Sequence, residues 1–312
     1  MMEEAPFFED VADGPPGGAA HWLTTEDGLR IRVGHWTRPG VNGTVIIFPG
    51  RTEYVEKYGR DAKVLLEAGY AVAAIDWRGQ GIAARMQENR AVGHVDYFPD
   101  YQLDVTATLA HLEALELPKP WYLIAHSMGG CIGLRSVMAG LDIKAVAFSA
   151  PMWGILMSAA LRPVAWTLST ISKPLRFSHI FAPGQQADPY VMRSDFETNR
   201  LTADRGMFDY MRAQLDAHPD LALGGPSLHW LNEALLEMRG LAARPSPEIP
   251  TITFLGSDEE IVDPDAVHDR MGRWDAGELV LIDGGRHEVL METPERRNLL
   301  FDRMLPFFAA HA

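Results

Sequence analysis

The stretch that decides the fold is Trp121-Tyr-Leu-Ile-Ala-His-Ser-Met-Gly-Gly130. An apolar strand runs to its end at Ser127 and passes without a spacer into a Gly-rich helix start. Only a tight strand-to-helix turn holds a serine Oγ clear of a sheet. Such a turn needs small residues two places before and two places after the serine, where strand and helix nearly touch. Ala125 and Gly129 stand there. The full pattern is G-x-S-x-G, and alanine is still small enough for its first position. An incidental serine at a strand–helix junction is the competing reading, so the rest of the chain has to decide between the two.

Short strand-like runs recur on both sides of this stretch, at 30–36, 44–48, 71–75, 121–125, 144–149, 251–255 and 278–282. Several are apolar throughout, as expected for parallel strands buried on both faces. Helical patterns fall between them at 56–68, 100–115, 129–139, 264–273 and 294–309. This alternation predicts an α/β protein with a mostly parallel, doubly wound sheet. The rhythm breaks once. Residues 151–249 hold no strand pattern but helical patterns near 155–171, 204–217 and 227–240, which predicts a helical cap inserted into a core of 21–150 and 250–312. Residues 1–20, acidic and rich in Gly and Pro, are expected as a loosely ordered lead-in.

Composition narrows the function. The chain has 312 residues, 47% of them hydrophobic, and a formal net charge of −14. A nucleic-acid surface needs a basic face, so that class is excluded. The single cysteine, Cys131, cannot form an internal disulfide and is expected as a small core residue. The acidic start resembles no signal peptide, and no uninterrupted apolar run reaches the length of a membrane span. These features predict a cytoplasmic protein, peripheral to the inner membrane at most.

A serine nucleophile needs a base, an acid that orients the base, and donors for an oxyanion. The base is expected after the last strand, where Asp283-Gly284-Gly285-Arg286-His287 places His287 in a Gly-rich loop. The acid is expected after the strand 251–255. Four carboxylates compete there: Asp258, Glu259, Glu260 and Asp263. Asp263 has a separate use as cap of a helix beginning at Pro264. The oxyanion donors are expected to be the backbone N–H of Met128, at a helix N-terminus, and that of Arg51, in the loop Pro49-Gly50-Arg51-Thr52-Glu53. Gly50, Glu53 and Trp153 are taken as substrate-binding candidates; Glu53 and Arg51 read either as contacts for a polar substrate head or as a pair with each other at the surface. His126 is expected to pack away from the pocket. The apolar segment 151–171 reads either as packing or as a funnel for an acyl chain, with transient membrane contact as a weaker third reading. His268-Asp269 lies in a helical pattern without partner ligands at metal-binding spacing, so no metal site is expected.

Together these segments resemble the α/β-hydrolases of the bacterial lysophospholipase and monoacylglycerol lipase branch. The resemblance rests on Phe48-Pro-Gly-Arg-Thr-Glu-Tyr-Val-Glu-Lys-Tyr58, Asp76-Trp-Arg-Gly-Gln-Gly81, Gly93-His-Val-Asp-Tyr-Phe98, Ala125-His-Ser-Met-Gly-Gly130 and 256–264, with similar stretches in the cap at 199–204 and 218–230. It spans about residue 20 to the C-terminus. In such relatives the acid stands three places after the strand-ending glycine, which here is Glu259. The resemblance implies a serine esterase that cleaves small-molecule acyl esters on glycerol backbones through Ser127, His287 and Glu259, with no metal or organic cofactor. A general carboxylesterase, a thioesterase, an amide or peptide hydrolase, and a non-catalytic hydrolase-fold binding protein are the alternatives. Three departures are visible: Ala125 for glycine, Glu259 for aspartate, and Ile82-Ala-Ala-Arg85, where many relatives have a serine soon after Gly81.

Overall fold

Apolar runs that must be covered on both sides become the middle of a sheet. In the computed structural model, which describes residues 2–312, nine strands form one sheet: β1 (Glu3–Ala5), β2 (Ala19–Thr24), β3 (Arg30–Trp36), β4 (Thr44–Phe48), β5 (Ala71–Asp76), β6 (Trp121–His126), β7 (Val146–Ser149), β8 (Thr251–Gly256) and β9 (Gly277–Ile282). Their spatial order is β1-β2-β3-β5-β4-β6-β7-β8-β9. The steps from β1 to β5 are antiparallel and those from β5 to β9 are parallel.

Alternate residues of each central strand feed different cores. Ile46, Phe48, Leu123, Ala125 and Phe148 pack with the helices Tyr101–Ala114, Met128–Met138 and Pro264–Met271, in a cluster that includes Cys131. Val45, Ile47, Tyr122, Ile124 and Phe254 pack on the other face with Gly59–Glu67 and Pro294–Ala310. The chain leaves β4 toward β5 on one side, while β6 lies on the other. That reversal opens a crevice at the carboxyl ends of β4 and β6, the place where open α/β sheets bind ligands. Ser127 follows β6 and the loop 49–53 follows β4.

Between Ser149 and Thr251 the described residues contain no sheet strand. The helices Leu161–Ser172, Tyr190–Arg193, Arg205–Ala217 and Leu228–Ala242 occupy this span. Two start with side-chain caps: Asp204 accepts from the Met207 N–H and Ser227 from the Trp230 N–H. Leu228–Ala242 lies on the main core through Trp230, Ala234 and Leu235. Arg205–Ala217 builds a smaller cluster around Tyr54, Phe208, Met211 and Leu215.

The lead-in departs from expectation. Residues 2–20 are tied into the fold, because buried side chains elsewhere use its backbone acceptors. Arg32 donates to the Pro6 carbonyl at 2.8 Å, Tyr210 to that of Ala12 at 2.7 Å, and Gln214 to that of Val11 at 2.9 Å. The fit is close enough that a Cβ on Gly59 would stand 1.8 Å from the Ala12 oxygen.

Arg32 is the hub of this corner. Fully buried, it bonds Asp76 at 2.8 Å and Glu56 through two parallel bonds of 2.7 Å. Replacing Arg32 by Met would leave two buried carboxylates without a cation. We expect a loss of about 3–5 kcal/mol in unfolding free energy, measured by urea titration. A loss below about 1 kcal/mol would show that this corner opens to water.

Candidate active site

Ser127 sits at φ 49° and ψ −115°, a left-handed backbone that a side chain adopts only under constraint. The neighbours supply the constraint. A Cβ on Gly129 would lie 2.0 Å from the Phe48 oxygen, and one on Gly130 2.6 Å from the Pro151 Cβ. The Ser127 N–H donates to the Ser149 carbonyl at 3.0 Å, and its own carbonyl accepts from Gly130 and Met152 at 2.8 Å each.

The structure brings Ser127, His287 and Glu259 into one hydrogen-bonded row. His287 Nε2 lies 2.9 Å from Ser127 Oγ, and Nδ1 lies 2.8 Å from Glu259 Oε2. A carboxylate can only accept, so Nδ1 carries the proton and Nε2 is left to accept from the serine hydroxyl. The other Glu259 oxygen accepts the N–H groups of Ile261 at 2.6 Å and Val262 at 3.1 Å. Burial works against the charged carboxyl, but the His287 ring and these two amides outweigh it and hold Glu259 below the ordinary glutamate value. The competing carboxylates have other uses. Asp258 contacts Ser257 on an exposed turn, Glu260 pairs with Arg200 at the surface, and Asp263 caps the helix at Pro264 while bonding Arg162.

Met128 is the first residue of its helix, and its N–H has no acceptor among the described residues. The same holds for the N–H of Arg51. Its loop is held from three sides: Trp77 donates to the Pro49 carbonyl at 2.9 Å, Gln80 bridges the Gly50 carbonyl and the Thr52 N–H, and the Gly50 N–H donates to Glu53. Two N–H donors with nothing to bond, flanking a serine, can stabilise an anionic oxygen.

Behind the serine lies a cluster that sequence reading missed. Glu53 accepts from Lys57 and from the Tyr58 hydroxyl, and Lys57 bonds Glu288 at 2.7 Å. His126 faces the pocket, not away from it. Its Nδ1 donates to the Ser149 carbonyl at 3.0 Å, which aims Nε2 at Glu288 (3.3 Å) and Glu53 (3.5 Å) as a charge contact without hydrogen-bond alignment. Burial disfavours the imidazolium, yet the two carboxylates prevail and raise the His126 pKa. Burial likewise opposes charge on Glu288, and Lys57 and His126 bring it well below its usual range. Glu53, His126 and Glu288 have metal-ligand types within 4.8 Å of one another. The Lys57 ammonium already bonds both carboxylates, so a resident cation occupies the role a metal would take. The Glu53–Lys57 spacing of four and the position of Glu288 next to His287 were the available signals.

A cavity of about 580 Å³ opens above this floor. Arg51, Ser127 and His287 line it, together with an apolar wall that includes Met152, Ile155, Leu156, Met157 and Leu161. The substrate-binding candidates fare unevenly. Glu53 lines the cavity, but its charge is spent on Lys57, and it does not pair with Arg51. Gly50 is committed to the turn through both backbone groups. Trp153 does not reach the cavity: it is buried under Gly130, whose carbonyl accepts its indole N–H at 3.2 Å, and packs against Phe148 and Trp274.

A family profile described as "Serine aminopeptidase, S33" matches residues 39–294. Lysophospholipase L2 of Escherichia coli (strain K12) is 30% identical over 299 residues, covering 91% of this chain and 84% of that protein. A probable lysophospholipase L2 of Haemophilus influenzae is 27% identical and covers 96% of this chain and 93% of its own. Among solved structures, a soluble variant of monoglyceride lipase from Saccharomyces cerevisiae, in complex with a substrate analogue, superposes with a TM-score of 0.72 at 22% identity, covering 93% of this chain and 94% of that chain. At that identity the likeness speaks to the fold alone.

Glu259→Gln should reduce kcat by orders of magnitude, because an amide neither fixes the tautomer nor stabilises an imidazolium. Asp258→Asn should stay within about threefold of the unmutated enzyme, since Asp258 touches only an exposed turn. A severe Asp258→Asn and a mild Glu259→Gln would overturn the assignment. Because the Glu259 pKa is lowered on folding, its ionised form stabilises the fold above the ordinary glutamate range and ceases to as pH falls through the lowered value. The stability gap between the unmutated enzyme and Glu259→Gln should therefore close on the acid side.

Proposed function

We propose, starting from a chain that belongs to the serine aminopeptidase S33 family of α/β-hydrolases and is an ester-cleaving hydrolase, that Ser127 is its nucleophile and that its substrates are lysophospholipids or monoacylglycerols. The observation that carries this reading is the Ser127–His287–Glu259 row opening on a cavity with an apolar wall. His287 takes the hydroxyl proton as Ser127 Oγ attacks the ester carbonyl. The N–H groups of Met128 and Arg51 hold the developing oxyanion. His287 then passes its proton to the leaving alcohol, and an acyl group remains on Ser127. Water, deprotonated by the same ring, releases the fatty acid. Glu259 keeps the ring in one tautomer throughout.

The relatives named lysophospholipase support an acyl-lipid substrate. A peptide reading, suggested by the family's description, finds less support in the cavity. An aminopeptidase must receive a protonated amino group. Among the described residues the carboxylates lining the cavity are Glu53, Glu288 and Glu260, and each is already paired with a lysine or arginine. Leu161 and Val164 line the cavity and are exposed, which suits brief contact with a lipid surface during substrate capture. No helix among the described residues is long and apolar enough to cross a membrane.

A fluorophosphonate should label Ser127 alone, and Ser127→Ala should lower kcat by on the order of 10⁴ or more. Intact-mass labelling that persists in Ser127→Ala would overturn the assignment. For substrate class, each methylene placed against the apolar wall should add up to ~0.8 kcal/mol to transition-state binding. We therefore expect kcat/KM to climb with acyl length until the cavity is full, and Leu156→Gln to flatten the climb. A flat profile from acetyl to long acyl in the unmutated enzyme would favour a general esterase.

A further inference from the structure

Among the described residues every fully buried cation is matched to acceptors. Arg32 has Asp76 and Glu56, Arg78 has Asp104 and Asp27, and Lys57 has Glu53 and Glu288. Arg270 has no carboxylate but donates to the Arg244 and Leu241 carbonyls and to Ser246. Arg85 likewise spreads its donors over the carbonyls of Gly81, Ala83 and Arg90. Arg51, half-buried beside the site, has a single side-chain hydrogen bond, from Nη1 to the Gly224 carbonyl at 2.8 Å. A guanidinium offers five N–H donors, so the rest of this one is unused among the described residues.

Its setting makes that cost large. The accessible surface Arg51 keeps faces the cavity it lines. Burial lowers its pKa to about 10, with no carboxylate to offset the effect. The Trp230 ring, centred 5.7 Å from the guanidinium, gives partial relief. The space beside it is kept clear: a Cβ on Gly93 would stand 3.2 Å from Nη1. The guanidinium, beside Gly224, Trp230 and Gly93, lines the same cavity as Ser127 and the apolar wall of Leu156, Met157 and Leu161.

A desolvated cation with spare parallel donors calls for an anion with two oxygens. A phosphodiester offers two non-bridging oxygens at the spacing of the guanidinium fork. In a lysophospholipid that group lies on the glycerol that carries the ester. A monoacylglycerol has only hydroxyls there and would leave the charge unmatched. We propose that Arg51 binds the phosphodiester of a lysophospholipid and makes the enzyme favour such substrates over neutral monoacylglycerols of the same acyl chain. This rests on the ester-hydrolase reading above and settles the head group that reading left open.

The test is a ratio. kcat/KM is measured for palmitoyl lysophosphatidylglycerol and for 1-palmitoylglycerol, both in detergent micelles of the same composition, with the unmutated enzyme, Arg51→Gln and Arg51→Lys. The unmutated enzyme should favour the phosphodiester. Arg51→Gln should lower the ratio of the two constants by on the order of 10- to 100-fold, as expected for loss of a charge-assisted hydrogen-bond pair. Arg51→Lys should keep part of it, since the charge remains while the fork is lost. Damage to the loop or to folding would affect both lipids and cancel in the ratio. A ratio that moves less than about twofold in Arg51→Gln, or an unmutated enzyme that favours the neutral lipid, would overturn the inference and leave the esterase reading standing. Turnover of neither lipid by the unmutated enzyme would overturn both.

Discussion

The left-handed backbone at Ser127 is the constraint on which the site depends. A non-glycine residue in such a conformation costs of order 1–3 kcal/mol and persists only where its surroundings over-determine it. Here they do so from three sides. β4 contributes the Phe48 carbonyl against Gly129, β7 the Ser149 carbonyl to the serine N–H, and the segment after β7 contributes Met152 and Pro151. The turn delivers two things together. It lifts Oγ to the height of the His287 ring, and it starts a helix whose first N–H, that of Met128, has nothing else to bond. The proposed nucleophile and the proposed oxyanion donor are thus consequences of one strained residue and cannot drift apart.

The second requirement is electrostatic. Glu288 is the residue after His287 and is fully buried, so an uncommitted carboxylate there would compete with Glu259 for the ring. Lys57 and His126 prevent this by holding Glu288 ionised and engaged. The same lysine engages Glu53, and Glu53 in turn receives the Gly50 N–H, which orients the peptide that carries the Arg51 N–H. Two acids and two bases close on themselves beneath the cavity. The surface of the protein carries a large negative excess, yet the floor under the serine is near neutral. The Arg51 guanidinium, which lines the same cavity, has no carboxylate partner among the described residues.

Much of this was legible in the sequence, for identifiable reasons. Strands covered on both faces are written as apolar runs, so β3 to β9 could be read within a residue or two. Glu259 could be picked out because its position is counted from Gly256, the end of a strand. β1 and β2 were not legible. β1 is three residues, Glu3–Ala5, and β2 is the mixed stretch Ala19–Thr24, so neither carries an apolar run. The Gly- and Pro-rich segment between them is held by the need of Arg32, Tyr210 and Gln214 for the carbonyls of Pro6, Ala12 and Val11, a demand that arises far away in the chain. Trp153 failed as a cavity residue for a related reason. Hydrophobicity says that an indole is buried but not on which side of Gly130, and only the nearby Phe148 and Trp274 rings decide it. The spacing of four marks Glu53 and Lys57 as partners, but the pairing of Lys57 with Glu288 joins parts of the chain more than 200 residues apart, and no local pattern links those two.

Ala125 shows what the turn at Ser127 actually requires. Glycine is usual at this position because helix and strand approach closely there, and a methyl group would be expected to force them apart. The structure takes up the methyl on the opposite side. Gly133, two turns into the helix Met128–Met138, has no side chain facing the strand, and a Cβ placed on it would stand 3.1 Å from the Ala125 Cβ and 3.2 Å from Leu123. The requirement is therefore on the sum of two facing side chains, one from β6 and one from the helix, and not on the identity of either. Glycine-then-alanine and alanine-then-glycine satisfy it equally. A motif stated as fixed letters around the serine records one solution to a distance constraint, and the other solution is found by asking which residue meets position 125 across the interface.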